Sequence, residues 1–199
     1  FYPQKVSESN PEMLLKANSD SGRVHSDKLP IQQALSLSTI SLSGSASAFF
    51  GSSGLYSVNK DDPTEQKIIQ KIKVELTDTS GQIVFSRQVK TSVSGVSTKE
   101  LPMKSLNLFF DQSISSGEVF QQAPKYALNS LRLRNAGNDF LLAYMRDAVV
   151  SELVKNMHLI RLNYQPVVVR INDEYWGIQY LRERVDDKTL QGKFPDLQR

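Results

Sequence analysis

The residues in this chain best suited to chemistry are cations set close together on what reads as a sheet. Arg132 and Arg134 alternate with Leu131 and Leu133. A strand over 128–135 therefore turns both guanidinium groups to one face, where both can reach one anionic group. A sheet face that stays wet, or pairing with Asp147 or Glu152, explains the same residues. Lys104 opens an apolar stretch, 104–110, and can neutralise phosphate oxygens as a point charge; a solvated strand-edge lysine is the alternative. Ser97 and Thr98 can donate to phosphate, although Ser/Thr loops are common. Arg182, Glu183 and Arg184 leave the last apolar segment as a charged exit, and exposed alternating charge accounts for them equally well.

Other chemistries are excluded by composition. The 199 residues include no cysteine and two histidines. Disulfides, thiolate metal sites, a cysteine nucleophile and a multi-histidine zinc site are ruled out or disfavoured. No metal site is expected, and no catalytic residue is assigned. Neither histidine has the context of a hydrolase triad, and no spacing singles out a carboxylate pair. The net charge is +3. Basic and acidic residues are interspersed, unlike the basic stripe of a nucleic-acid binder, so no nucleic-acid partner is expected. No apolar run approaches the roughly 18 residues of a membrane span.

The elements that position these cations read mostly as strands. Residues 1–29 are polar and broken by Asn, Ser, Asp and Gly, as in a flexible lead. Alternation over 31–42 predicts a strand. Residues 43–54 read as a loop carrying Phe49 and Phe50. A hairpin of 72–77 with 82–89 turns at Thr77–Gly81. The loop 94–103 leads to the strand 104–110. After the strand at 128–135, a helix is expected from Asp139 to about Met157, because Leu142, Met145, Val149, Leu153 and Met157 form one apolar stripe. Segments 166–171 and 174–181 form a second hairpin with Asn172 and Asp173 at its tip.

Several polar residues flank that helix. Asn138 and Asp139 suit helix capping. Arg146 and Asp147 suit either a buried network locking the helix to the sheet or contact with phosphate. Trp176 beside Gly177 suits a packed ring at a bulge, or a close approach of ligand to backbone.

Taken in order, these stretches resemble the spore-coat protein H (CotH) kinase-like family. The resemblance rests on Leu131-Arg-Leu-Arg-Asn135-Ala-Gly-Asn138-Asp139, then Arg146-Asp147-Ala148, Pro166-Val-Val-Val and Asn172. It continues through Tyr175-Trp176-Gly177 and Leu181-Arg-Glu-Arg184-Val-Asp186. Upstream, Gly54-Leu55-Tyr56, Gly95-Val-Ser97-Thr98 and Lys104-Ser105-Leu106 also match. The loop after Gly95 departs from the family in lacking further Gly and an Arg. Asp173 replaces the Gly of an Asn-Gly turn, which disfavours a tight type I′ turn.

The resemblance implies an α+β fold, mainly an antiparallel sheet with one principal packed helix, like the upper lobe of an atypical protein kinase. Residues 30–199 would be that lobe, with a lower catalytic lobe lying beyond this chain. It implies ATP and Mg²⁺ as cofactors, and nucleotide contacts from Lys104, Arg134, Ser97, Thr98 and Glu183. Asn138, Asp139, Arg146, Asp147, Glu152, Trp176, Arg182 and Arg184 would be structural, with residues 182–186 as the hinge. The implied function is phosphorylation of Ser on secreted or coat proteins, at an extracellular, cell or spore surface. This chain alone would be inactive. A non-enzymatic surface or coat assembly module is the alternative, and self-association is expected of an exposed apolar lobe face.

Overall fold

A computed structural model describes residues 37–59, 61, 68–120, 124–157, 159, 161–184 and 186–194. The lead at 1–29 and the first part of the strand expected over 31–42 lie outside the described residues. Seven strands follow in chain order: β1 Ser38–Ser43, β2 Ile69–Thr77, β3 Ile83–Ser94, β4 Ser105–Ser115, β5 Ala127–Arg134, β6 Tyr164–Ile171 and β7 Glu174–Glu183. They pair in the order β1-β2-β3-β4-β5-β7-β6, and β6 returns to β1 to close a barrel. That closing pair is parallel, with Ile40 opposite Val169, whereas every other pair is antiparallel.

Alternation decides which side chains enter the barrel. Ile40, Leu42, Ile72, Val74, Leu76, Leu106, Leu108, Leu131, Leu133, Val167, Val169 and Leu181 are buried in one core. Their partners at odd steps, including Arg132, Arg134 and Arg182, are turned outward and partly exposed.

The expected α+β lobe with a packed helix is not the architecture found. The molecule is a closed seven-stranded barrel with few, short helices. The cause lies at both ends of the chain order. The strand at β1 bonds to β2 on one side and to β6 on the other, so the sheet curls closed and buries its apolar face against itself, leaving that face no need of a principal helix. Among the described residues the α-helices are α1 Ala46–Phe50, α2 Ser116–Val119, α3 Arg146–Leu153 and α4 Asp187–Lys193. The helix expected from Asp139 to Met157 is only α3, and none of its residues is buried. Its start is delayed because Tyr144 takes a left-handed conformation, φ 64, which a bulky residue adopts only when held there. The Tyr144 hydroxyl donates to the carbonyl of Ile178, and its ring packs near Phe140 and Tyr180. The loop expected at 43–54 contains α1, which Ser45 caps by accepting from the Ala48 N–H.

The second hairpin turns tightly despite Asp173. Both Asn172 and Asp173 have positive φ, 47 and 69, as a type I′ turn requires. Asn172 helps to hold it, since its Oδ1 accepts from Gly44 N–H and its own N–H donates to Leu42. Trp176 is the extra residue of a bulge, because Val169 faces Gly177 while Arg170 faces Tyr175. Gly177 at φ 123 leaves room for Met103, whose Sδ would lie 2.6 Å from an added Cβ.

If barrel closure by β1 is the main tertiary constraint, Ile40→Ala should destabilise the whole domain. Ile40 is 0% exposed, and truncation there is expected to lower stability by about 2–5 kcal/mol. Urea unfolding followed by circular dichroism should show one lower midpoint; an unchanged midpoint would show that closure contributes little.

Candidate functional site

The outer face of β5 and β7 concentrates positive charge. Register sets Arg132 directly opposite Arg182, and Arg134 opposite Tyr180. Arg184 follows on the same strand path, with its guanidinium 5.0 Å from the centre of the Phe109 ring. On the other side of β5, Asn107 faces Arg132 and accepts from its Nε at 2.9 Å.

Carboxylates balance only part of this charge. Arg134 Nε donates to Asp147 Oδ2 at 2.6 Å, and Arg182 Nη1 stands 3.6 Å from the same oxygen. Arg184 Nη1 lies 3.7 Å from Asp186 Oδ2. Arg134 and Arg182 thus share Asp147, Arg184 meets Asp186, and Arg132 donates to the neutral Asn107. Burial, followed by the neighbouring Arg184, Arg182 and Arg134, pushes the Arg132 guanidinium below its ordinary pKa. Burial likewise lowers Arg182, Arg134 adds to it, and Asp147 offsets part of the effect. In both, lost hydration comes first and neighbouring guanidinium groups add to it. Arginine stays protonated in such a setting, so the unmet demand is for an anion. Planar guanidinium groups meet phosphate or carboxylate oxygens in pairs.

Lys104 and Glu183 do not join this face. Lys104 is 6% exposed. Its Nζ donates to the carbonyls of Val58 at 2.6 Å and Lys99 at 2.5 Å, with the Tyr56 ring 6.0 Å away. Glu183 is 0% exposed. It accepts from the Tyr126 hydroxyl, from Asn163 Nδ2 at 2.7 Å and backbone N–H at 2.8 Å, and from Lys193 Nζ at 2.9 Å. Among the residues expected to meet a nucleotide, Arg134 alone lies on the arginine face. Ser97 and Thr98 lie in a short 3₁₀ turn, Ser97–Glu100, on the loop before β4.

The residues flanking α3 organise its approach. Asp139 accepts from Ala143 N–H at 3.2 Å and Arg146 N–H at 3.0 Å, and pairs with Arg146 Nε at 3.1 Å. It caps a wider turn than the helix start expected there. Asn138 is exposed in the 3₁₀ turn Gly137–Asp139. Glu152 pairs with Lys155 on the surface of α3 and its following turn, away from the arginines. Trp176 packs with Phe50 and Tyr56, with ring centroids 5.5 and 5.1 Å away. Asn107, Phe109, Tyr164 and Tyr180 also border the arginine face, and sequence reading missed them. The odd-residue alternation of β4 carried a signal for Asn107 and Phe109; nothing local marked the tyrosines.

The family model for CotH kinase protein matches residues 91–198, more than half of the chain and the whole of the arginine face. The chain belongs to the CotH kinase protein family. No curated protein matches it in sequence. In this CotH chain, among the described residues, no group of three or more His, Asp or Glu side chains is placed to hold a metal ion. No helix among them is long and apolar enough to cross a membrane. The arginine face offers paired guanidinium donors of the kind that meet phosphate or carboxylate oxygens.

Two stability measurements separate scaffold from site. Lys193→Ala leaves the Glu183 carboxylate buried without its cation, and should cost about 3–5 kcal/mol in chemical unfolding; a loss below 1 kcal/mol would mean that the network is slack. Asp186 tests the acid limb. Burial pushes its carboxyl up, but the Thr189 N–H, the Ser130 hydroxyl and Arg184 together hold it below its ordinary value. Its contribution is therefore full above about pH 4 and lost as pH falls through its lower folded value. Asp186→Asn should flatten the acid limb of a stability–pH curve; an unchanged limb would remove Asp186 from the explanation.

Proposed function

We propose that this chain contributes a phosphate-gripping wall to an ATP-dependent Ser kinase of the CotH family, acting on secreted or coat proteins at a cell or spore surface. The observation that carries this reading is the Arg132–Arg182 cross-strand pair within the four-arginine face. Like charges directly opposite one another destabilise a sheet, and a bound phosphate group removes that repulsion. Phosphoryl transfer also needs groups that neutralise the transferred phosphoryl and others that hold Mg²⁺. The arginine face supports the first role. No residue is assigned the second role, and the chain by itself is read as a binder of phosphates that does not transfer them. Lys104 is read as a buried strut instead of a phosphate ligand.

Calorimetry with inorganic tripolyphosphate and with ATP tests the binding half. The expected result is weak, salt-sensitive binding, lowered roughly ten-fold by Arg132→Ala or Arg182→Ala. Equal affinity in wild type and both variants would contradict the reading. Radiolabelled ATP with a Ser-rich substrate tests the second half; incorporation above background would overturn it.

A second reading, a non-enzymatic assembly module of a spore or cell surface, is favoured by one observation. Leu141, Leu142, Met145, Val149, Val150, Leu153, Met157 and Leu159 are all exposed. Eight exposed large apolar side chains within one segment of nineteen residues, 141–159, favour an interaction surface. Self-association is expected, as a mass that rises with concentration in ultracentrifugation. A constant monomer mass would count against it.

A further inference from the structure

Asp147 occupies the place on the arginine face where a phosphate oxygen would sit. Its Oδ2 lies 2.6 Å from Arg134 Nε and 3.6 Å from Arg182 Nη1. The pocket bounded by Arg134, Asp147, Tyr164, Tyr180 and Arg182 has a volume of about 20 Å³. That is room for a water molecule and not for a phosphate held by both guanidinium groups. The carboxylate also rides on α3, whose residues are all partly or fully exposed. Besides the two arginine contacts, α3 is tied to the barrel by the Tyr164 hydroxyl, which donates to the Ala148 carbonyl at 2.9 Å.

We infer that Asp147 is a built-in counter-anion that competes with phosphate for Arg134 and Arg182, so that phosphate enters only as α3 releases them. This rests on the reading of the arginine face as a phosphate site. Binding would then exchange one anion for another at the same two guanidinium groups, and α3 would lose two of its ties to β5 and β7.

The alternative physical role has the opposite sign. If Asp147 orients the arginines for the anion, removing its charge weakens binding. Removing a competing unit charge about 4 Å away in a wet site changes the interaction by about 1 kcal/mol, or about five-fold in affinity.

Tripolyphosphate affinity of the 199-residue chain and of Asp147→Asn decides between them, with circular dichroism establishing that the variant is folded. Binding about five-fold tighter in Asp147→Asn is expected. Wild-type binding with equal or weaker binding by the variant overturns the competition alone. No binding by either protein overturns the phosphate reading and this inference with it. Hydrogen exchange of the wild-type α3 amides supplies an independent readout. Saturating tripolyphosphate should speed exchange over Arg146–Leu153; unchanged or slower exchange would overturn the displacement of α3.

Discussion

Arg132 and Arg182 face each other because the barrel allows them no other place. Leu131 and Leu133 on β5, and Leu181 on β7, are fully buried, so the inward set of each strand is fixed. A slip of one residue would drive guanidinium groups into the core and leucines into water. Closure of the sheet makes such a slip harder still, since each strand is paired on both sides. Two cations are thus locked opposite one another by apolar burial that has nothing to do with charge. The anion demand of the outer face follows from that lock.

The barrel also sorts its polar groups. Inside, Glu183 and Lys104 are surrounded by partners: Glu183 by Tyr126, Asn163 and Lys193, and Lys104 by two carbonyls and the Tyr56 ring. A buried charge is tolerated only on such terms. Outside, Arg134 and Arg182 share Asp147 while Arg184 meets Asp186, and one of those carboxylates stands on a helix with no buried residue. Rigid apolar packing sets the arginines, and a lightly anchored helix sets their counter-charge. Membership of the CotH kinase protein family is the ground for proposing phosphate as the anion of that face.

Much of the sheet was legible in the sequence, because alternation is a local signal. The faces of β5, the turn at Asn172 and Asp173, and the hairpin of β2 with β3 follow from residue spacing alone. Closure was not legible. It depends on the parallel pairing of Ser38–Ser43 with Tyr164–Ile171, more than a hundred residues apart, and neither segment carries a sign of the other. The helix expected from the stripe Leu142 to Met157 was misleading for a physical reason. Its spacing suits a buried face, but Tyr144 is held left-handed and the closed barrel offers the stripe no groove. The buried surroundings of Lys104 and Glu183 were not legible for a related reason. Spacing gives the side of a strand, but not which carbonyls or amides fold over its ends.

The most direct test of the central claim is the location of a bound phosphate. Arginine Nε–H resonances and backbone amides can be followed by nuclear magnetic resonance as inorganic tripolyphosphate is added. The barrel described here predicts shifts at Arg132, Arg134, Arg182 and Arg184, with little change around Lys104, Ser97 and Thr98. Shifts confined to Ser97, Thr98 and the Lys104 region, with the four arginines unmoved, would contradict it.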